Sequence, residues 1–183
     1  DGLLGQMMEP VSFPEITAKT IEKPWATNGH KNARKHNIVN SLYLQAPDLQ
    51  RTAQERFERY EKIKQTHTEA ESYLTEDAEI IVTAYGATAR VAKSAVNAAR
   101  EAGLKVGMVR PKTLLPFPVR ELNEGCKNAK AVLCVEMSMG QMIDDVKLAL
   151  NCSLPVHFFG RTGGVIPTPN DVLAEIQKIG GAL

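Results

Sequence analysis

The sequence predicts an α/β fold: three α/β/α layers around a mostly parallel sheet of four to five strands, preceded by an irregular N-terminal arm and a long connector helix. Three observations predict it. Apolar runs start near Glu79, Val106, Ala131 and Val156, a spacing of about 25 residues that suits successive strand–helix units. Each run is almost continuously apolar, as in Ile80-Ile81-Val82 and Ala131-Val132-Leu133-Cys134-Val135, which is the pattern of parallel strands covered on both faces. Between the runs lie segments of helical period with start and stop residues in place.

Taken in order, residues 1–47 hold no convincing element. Pro10, Pro14 and Pro24 interrupt them, and so long an irregular stretch suits the tail of a preceding domain and a connecting arm. Phe13, Trp25, Tyr43 and the run Ile38–Leu44 favour an arm ordered on a partner surface over a disordered terminus, with Ile38–Leu44 as a candidate edge strand. Residues 48–76 read as the connector helix. Asp48 after Pro47 is a suitable N-cap, Leu49, Ala53, Phe57, Tyr60 and Ile63 share a face, and Ala70 and Leu74 prolong it. Glu55–Arg59 and Glu58–Lys62 lace the other face.

Residues 77–183 form the α/β domain. Gly86 opens the first of its helices, with Val91, Ala95, Ala98 and Ala102 inward and Gly103 as a left-handed terminator. Pro118 suits the first position of a short helix carrying Leu122. Met139, Met142, Ile143, Val146 and Leu150 make a stripe on the third helix. Thr168, Pro169 and Asp171 spell a capping box with proline inside the start, and Gly180 closes the last helix. Right-handed crossovers then give the three layers, and 2-1-3-4, numbering the four apolar strands in chain order, is taken as the sheet order without a residue that fixes it.

Composition excludes several classes. Lys+Arg is 22 against 21 Asp+Glu, so there is no electrostatic footprint for nucleic acid or an acidic membrane. No apolar run reaches the roughly 18–20 residues of a membrane span, and residues 1–10 do not read as a signal peptide. Cys126, Cys134 and Cys152 lack CxxC spacing, which points to reduced, buried thiols in a cytoplasmic protein and to no four-cysteine iron–sulfur site. The chain starts at Asp1, without methionine, and is read as a fragment or processed product of something longer.

Candidate sites cluster where strands end. Gly86, in Tyr85-Gly86-Ala87-Thr88, opens a helix whose N–H groups suit an anion, but a glycine for a tight turn is the favoured reading. There is neither G-x-G-x-x-G nor a P-loop. Glu136 is a candidate acid or base with no Ser/His/Asp or Cys/His set to join it. Arg161, beside Gly163 and Gly164, suits a carboxylate or phosphate at the carboxyl end of the sheet, or a pair with Glu136, which is favoured. Met137, Met139 and Met142, around Gly140 and Gln141, suit either a packed contact with another chain or core filling. His157, alone in an apolar strand, reads as a hydrogen-bonded core residue, and the histidines show no metal spacing. The residues by themselves describe an α/β domain without a complete active site.

Several stretches resemble a known family. Gly86 with its flanks, Arg110-Pro111-Lys112-Thr113-Leu114-Leu115-Pro116-Phe117-Pro118, Glu136-Met137-Ser138-Met139-Gly140-Gln141-Met142 and Gly160-Arg161-Thr162-Gly163-Gly164-Val165-Ile166-Pro167-Thr168-Pro169 resemble the alpha subunit of 2-oxoacid:ferredoxin oxidoreductases, in the family's order and spacing. Residues 1–10 resemble the end of that subunit's first domain. The resemblance is to the branched-chain (2-oxoisovalerate) type before the 2-oxoglutarate and pyruvate types. It implies that this segment is the second alpha domain, similar to the transketolase C-terminal domain, serving assembly and active-site framing and inactive alone. No catalytic, cofactor-binding or metal-binding residue carries over to it.

Thiamine diphosphate with Mg is then expected between the alpha subunit's first domain and a thiamine-binding beta subunit. Gamma and iron–sulfur delta subunits complete the expected hetero-oligomer, coenzyme A is a substrate and ferredoxin the acceptor. The alternative from another class is a stand-alone α/β anion- or nucleotide-binding module using Gly86, Glu136 and Arg161. A complete transketolase-like enzyme is excluded because no GDG followed about 30 residues later by an N is present in the chain.

Overall fold

The structure, a computed structural model, describes residues 12–15 and 21–183; the expectation for residues 1–10 lies outside them. The described residues fall into two compact units, one of them Glu61–Leu183 and the other within Glu9–Tyr60.

In the second of these, residues 21–45 form no helix or strand, so Ile38–Leu44 is not the edge strand expected. The segment makes its own turns instead. Arg34 Nη2 donates to the Ala26 and Gly29 carbonyls at 3.0 and 3.2 Å, and Asn37 Nδ2 also reaches Ala26 O, at 2.9 Å. Helix α1, Ala46–Thr66, has no buried residue. It starts two residues before Asp48, which therefore sits in the first turn and is not the N-cap. Its face from Leu49 through Phe57 and Tyr60 to Ile63 is exposed, and the ion pairs seen along it are Arg51–Glu55, Arg51–Asp48 and Lys64–Glu61, in place of the expected pairs.

The other unit is the expected three-layer sandwich. After β1 (Ala70–Tyr73) come β2 (Ile80–Thr83), α2 (Gly86–Glu101), β3 (Val106–Pro111), α3 (Val119–Gly125), β4 (Ala131–Glu136), α4 (Met142–Ala149), β5 (Val156–Gly160) and α5 (Pro169–Gly180). The sheet order is β1-β3-β2-β4-β5, parallel except for β1. The order expected for the apolar strands holds, and β1 adds an antiparallel edge where the helix was expected to continue. Helix α1 ends at Thr66, and Ala70 to Tyr73 pair with Pro111 to Met108.

Alternation along the strands fills two cores. Ile80, Val82, Leu133 and Val135 point to the layer of α2 and α5, while Ile81, Val132 and Cys134 point to that of α3 and α4. On α2 the buried stripe is Thr88, Val91, Ala92, Ala95, Val96 and Ala99, one position round from the expected face, which leaves Ala102 exposed. The α2 end is a Schellman motif: Gly103 at φ 86°, its N–H on Arg100 O at 2.9 Å and the Leu104 N–H on Ala99 O at 3.0 Å. Pro118 is the N-cap of α3, one place earlier than expected. The capping box of α5 forms in full, Thr168 Oγ1 accepting from the Asp171 N–H and Asp171 Oδ2 from the Thr168 N–H.

Candidate functional site

In this sheet the chain leaves β2 toward β3 on one side and then crosses to β4 on the other. That makes the carboxyl ends of β2 and β4 the crevice where open α/β sheets usually hold ligands. The turns from Tyr85 to Gly86 and from Glu136 to Gln141 follow those two strands.

Glu136, the last residue of β4, is 1% exposed. Its Oε2 accepts the Ser138 hydroxyl at 2.7 Å and the N–H groups of Gln141 and Met142, both at 3.0 Å. Oε1 accepts the Ile143 N–H at 3.0 Å and the Cys134 thiol at 3.4 Å. Ser138 Oγ in turn accepts the Gly140 N–H at 3.3 Å, and Gly140 turns the chain at φ 103°. A buried carboxylate thus occupies the start of α4, where free N–H groups and the positive end of the helix dipole converge. Burial alone would raise the Glu136 carboxyl. The N–H of Gln141, the Ser138 hydroxyl and the N–H groups of Met142 and Ile143 outweigh it and hold the carboxyl below its usual value. The same burial, with the Glu136 charge, pushes the Cys134 thiol up, so it stays protonated and donates.

An anion position at this sheet edge is therefore filled by the chain itself. Glu136, closed to water, has its lone pairs engaged by donors of the chain itself. Arg161 does not pair with Glu136. Its guanidinium is 3.8 Å from Asp171 Oδ1 and lies 4.5 Å over the Phe159 ring, while its backbone N–H meets Glu136 O at 3.1 Å. Arg161 is thereby tied to the start of α5. Gly163 and Gly164 lie in the exposed loop between them, both at positive φ. Gly86 has φ 59°, a conformation that favours glycine, and no side chain caps the start of α2 behind Tyr85.

The structure thus brings Glu136, Gly140 and Gln141 together and turns the Arg161 guanidinium to Asp171 instead of the Glu136 carboxylate. Met142 is core, but Met137 and Met139 are 42% and 78% exposed on the outside of the turn that Glu136 holds. His157 is exposed rather than core, and Cys152, expected to be buried, is also exposed. Sequence reasoning missed Ser138 as a partner of Glu136. The signal was the polar residue two places after an acid at a strand end, ahead of a helix.

Among the described residues no group of three or more His, Cys, Asp or Glu side chains is placed to hold a metal ion. Two of the cysteines are buried, and burial lifts the Cys126 thiol to about 12, opposite to what a thiolate ligand needs. The described residues thus do not fit an iron–sulfur cluster. No helix among them is long and apolar enough to cross a membrane.

Residues 78–172, just over half of the chain, match the family model described as pyruvate:ferredoxin oxidoreductase core domain II. The chain belongs to the 2-oxoacid:ferredoxin oxidoreductases. It is 40% identical over 99% of its length to ketoisovalerate oxidoreductase subunit VorB of Methanothermobacter marburgensis, of which it covers 51%. To 2-oxoglutarate synthase subunit KorA of the same organism it is 35% identical over 56% of its length, covering 28% of that subunit. In fold it is similar to a 2-oxoglutarate:ferredoxin oxidoreductase from Magnetococcus marinus, with TM-score 0.63 and 19% identity over 74% of this chain and 24% of that one. The chain spans about half the length of the VorB relative. The sandwich with an antiparallel β1 is also similar in fold to a split-gene transketolase, with TM-score 0.51 and 22% identity over 60% of this chain and 40% of that one.

Proposed function

We propose that this chain is the framing and docking domain of the alpha subunit of a branched-chain 2-oxoacid:ferredoxin oxidoreductase. The whole enzyme would release CO2 from the 2-oxoacid, join the remaining acyl group to the sulfur of coenzyme A, and pass the electron pair of that oxidation to ferredoxin. The branched-chain substrate rests on the 40% identity to a ketoisovalerate oxidoreductase subunit along almost the entire chain.

The observation that carries the framing role is the Glu136 clamp. It engages Glu136, among the described residues the buried charge at the sheet's ligand-prone edge, in fixing a turn whose outer face is apolar. Met137 and Met139 are then held out from a rigid base, and methionine adapts well to a partner surface. More apolar surface lies nearby in the chain: Leu115 is 94% and Leu148 79% exposed around a hollow of about 730 Å³ beside α3. Exposed apolar side chains gathered around a hollow suit a protein contact. The irregular arm exposes Trp25, Ile38 and Leu44 in the same manner.

Thiamine diphosphate, Mg and the iron–sulfur clusters would be held by other parts of a cytoplasmic hetero-oligomer, with a thiamine-binding beta subunit, gamma and iron–sulfur delta subunits as partners. Its assay is anaerobic purification of the full-length subunit from native extract, followed by oxidation of 2-oxoisovalerate, 2-oxoglutarate and pyruvate with coenzyme A and ferredoxin. Co-purification of a thiamine-binding chain and an iron–sulfur chain, with highest kcat/KM for 2-oxoisovalerate, is expected. A monodisperse lone chain would overturn the framing role, and preference for another 2-oxoacid would overturn the substrate assignment.

A further inference from the structure

The two edges of the sheet are unlike. β1 carries Glu71, within 3.5 Å of Lys93 Nζ and 3.4 Å of Arg110 Nη1, and charge of this kind normally keeps an edge from pairing. β5 reads Val156-His157-Phe158-Phe159-Gly160, with no lysine, arginine, carboxylate or proline.

Its backbone is also presented outward. Against β4 the Val132 N–H donates to Pro155 O at 2.9 Å and the Arg161 N–H to Glu136 O at 3.1 Å. Odd-numbered residues of β5 therefore turn both backbone groups to β4, and Val156, Phe158 and Gly160 turn theirs to the open side. Among the described residues, the hydrogen bond seen on that side is Arg161 Nη1 on the Gly160 carbonyl, at the long limit of 3.5 Å.

We propose that β5 pairs antiparallel with β5 of a second copy of this chain, about a two-fold axis between the two Phe158 residues. In this register Phe158 faces Phe158 and Val156 faces Gly160, so every outward N–H and C=O of the strand meets a partner. Centring the axis on His157 would set Gly160 opposite Leu154, and centring it on Phe159 would set Val156 opposite Thr162, both outside the strand. Side chains agree with the Phe158 register. A Cβ on Gly160 would collide with the ring of its own Phe158 and with the Ser138 carbonyl, so both already cover the glycine, and Val156 of the second copy would come against that ring. On the other face His157 comes beside Phe159, a ring-to-ring cross-strand pair. None of the five strand residues is Asp, Glu, Lys or Arg, so the paired strands bring no like charges of their own together. A strand from a different chain would have to reproduce that match.

This inference goes beyond the framing role and does not rest on it: co-purifying chains test one, contacts between identical chains the other. The test uses the full-length subunit in its complex with Cys152→Ser, which removes the exposed thiol, and Phe158→Cys. A hydrogen-bonded antiparallel pair sets the two Cα atoms about 5.5 Å apart, within disulfide range. Mild oxidation is expected to give a covalent dimer of this subunit on a non-reducing gel, while a cysteine at Val119 gives none. Because the substitution removes a ring, amide exchange of the unaltered complex is the second measurement. The N–H groups of Val156, Phe158 and Gly160 are expected to exchange as slowly as those of His157 and Phe159. A cross-link to a different subunit, or protection without a same-chain cross-link, would give the edge to another occupant. Fast exchange at Val156, Phe158 and Gly160 alone would show it open. Each of these overturns the proposal.

Discussion

Glu136 shows how one side chain decides what a sheet edge can do. Its carboxyl sits below its ordinary value of 4.5 in the folded protein, burial being outweighed by the donors around it. A carboxyl depressed in this way stabilises the fold fully above its unfolded value, and that contribution fades as pH falls through the folded value. Stability is therefore expected to drop on acidification below about pH 4.5, and Glu136→Gln should flatten that part of the profile. At neutral pH the glutamine cannot accept from Gln141, Met142 and Ile143 with both oxygens, and the loss should be about 2 kcal/mol in urea unfolding. The thiols give a second check at this scale. Cys126 and Cys134 are buried, and burial moves both away from thiolate, whereas Cys152 is exposed. A thiol reagent at pH 7 should label Cys152 alone in the folded chain and all three cysteines after denaturation.

The elements differ in how local their causes are. Helix α5 is specified within itself: Thr168 and Asp171 satisfy its first N–H groups, and Val172, Ile176 and Ile179 supply the buried stripe. Thr168→Ala should cost about 1 kcal/mol and be seen as a lowered unfolding midpoint. β1 is the opposite case. Ala70 and Leu74 continue the spacing of the α1 face, so the sequence read on its own prolongs the helix. In the structure Leu74 turns the chain at φ 53°, Arg100 Nη2 holds its carbonyl at 2.8 Å and Asp77 Oδ1 at 2.7 Å, and the strand lies along β3. Gly107 on β3 runs so close beneath that a Cβ there would collide with the Leu74 carbonyl. Gly107→Ala must displace backbone, and a cost of about 2 kcal/mol or more is expected on the scale of overpacked cores, measured by urea unfolding.

At the scale of the whole molecule, the domain buries Glu136 and turns Met137 and Met139 outward, while Met108 and Met142 stay in the core. Substituting Met139, 78% exposed, by lysine should leave unfolding within about 0.5 kcal/mol of the parent. The same change should reduce recovery of the thiamine-binding chain with the full-length subunit. Unchanged recovery would remove the methionine turn from the interface. What was legible without coordinates follows from local chemistry. Apolar runs marked the four parallel strands, and glycine, proline and threonine marked helix ends, because each depends on residues within a few positions. What only the tertiary structure decided were relations between distant residues: β1 on β3, Arg161 with Asp171 instead of Glu136, and the helix start that closes over the Glu136 carboxylate. Sequence spacing places such groups at one end of a sheet. Which of them meet depends on side-chain direction and on desolvation, and those exist only once the layers have packed.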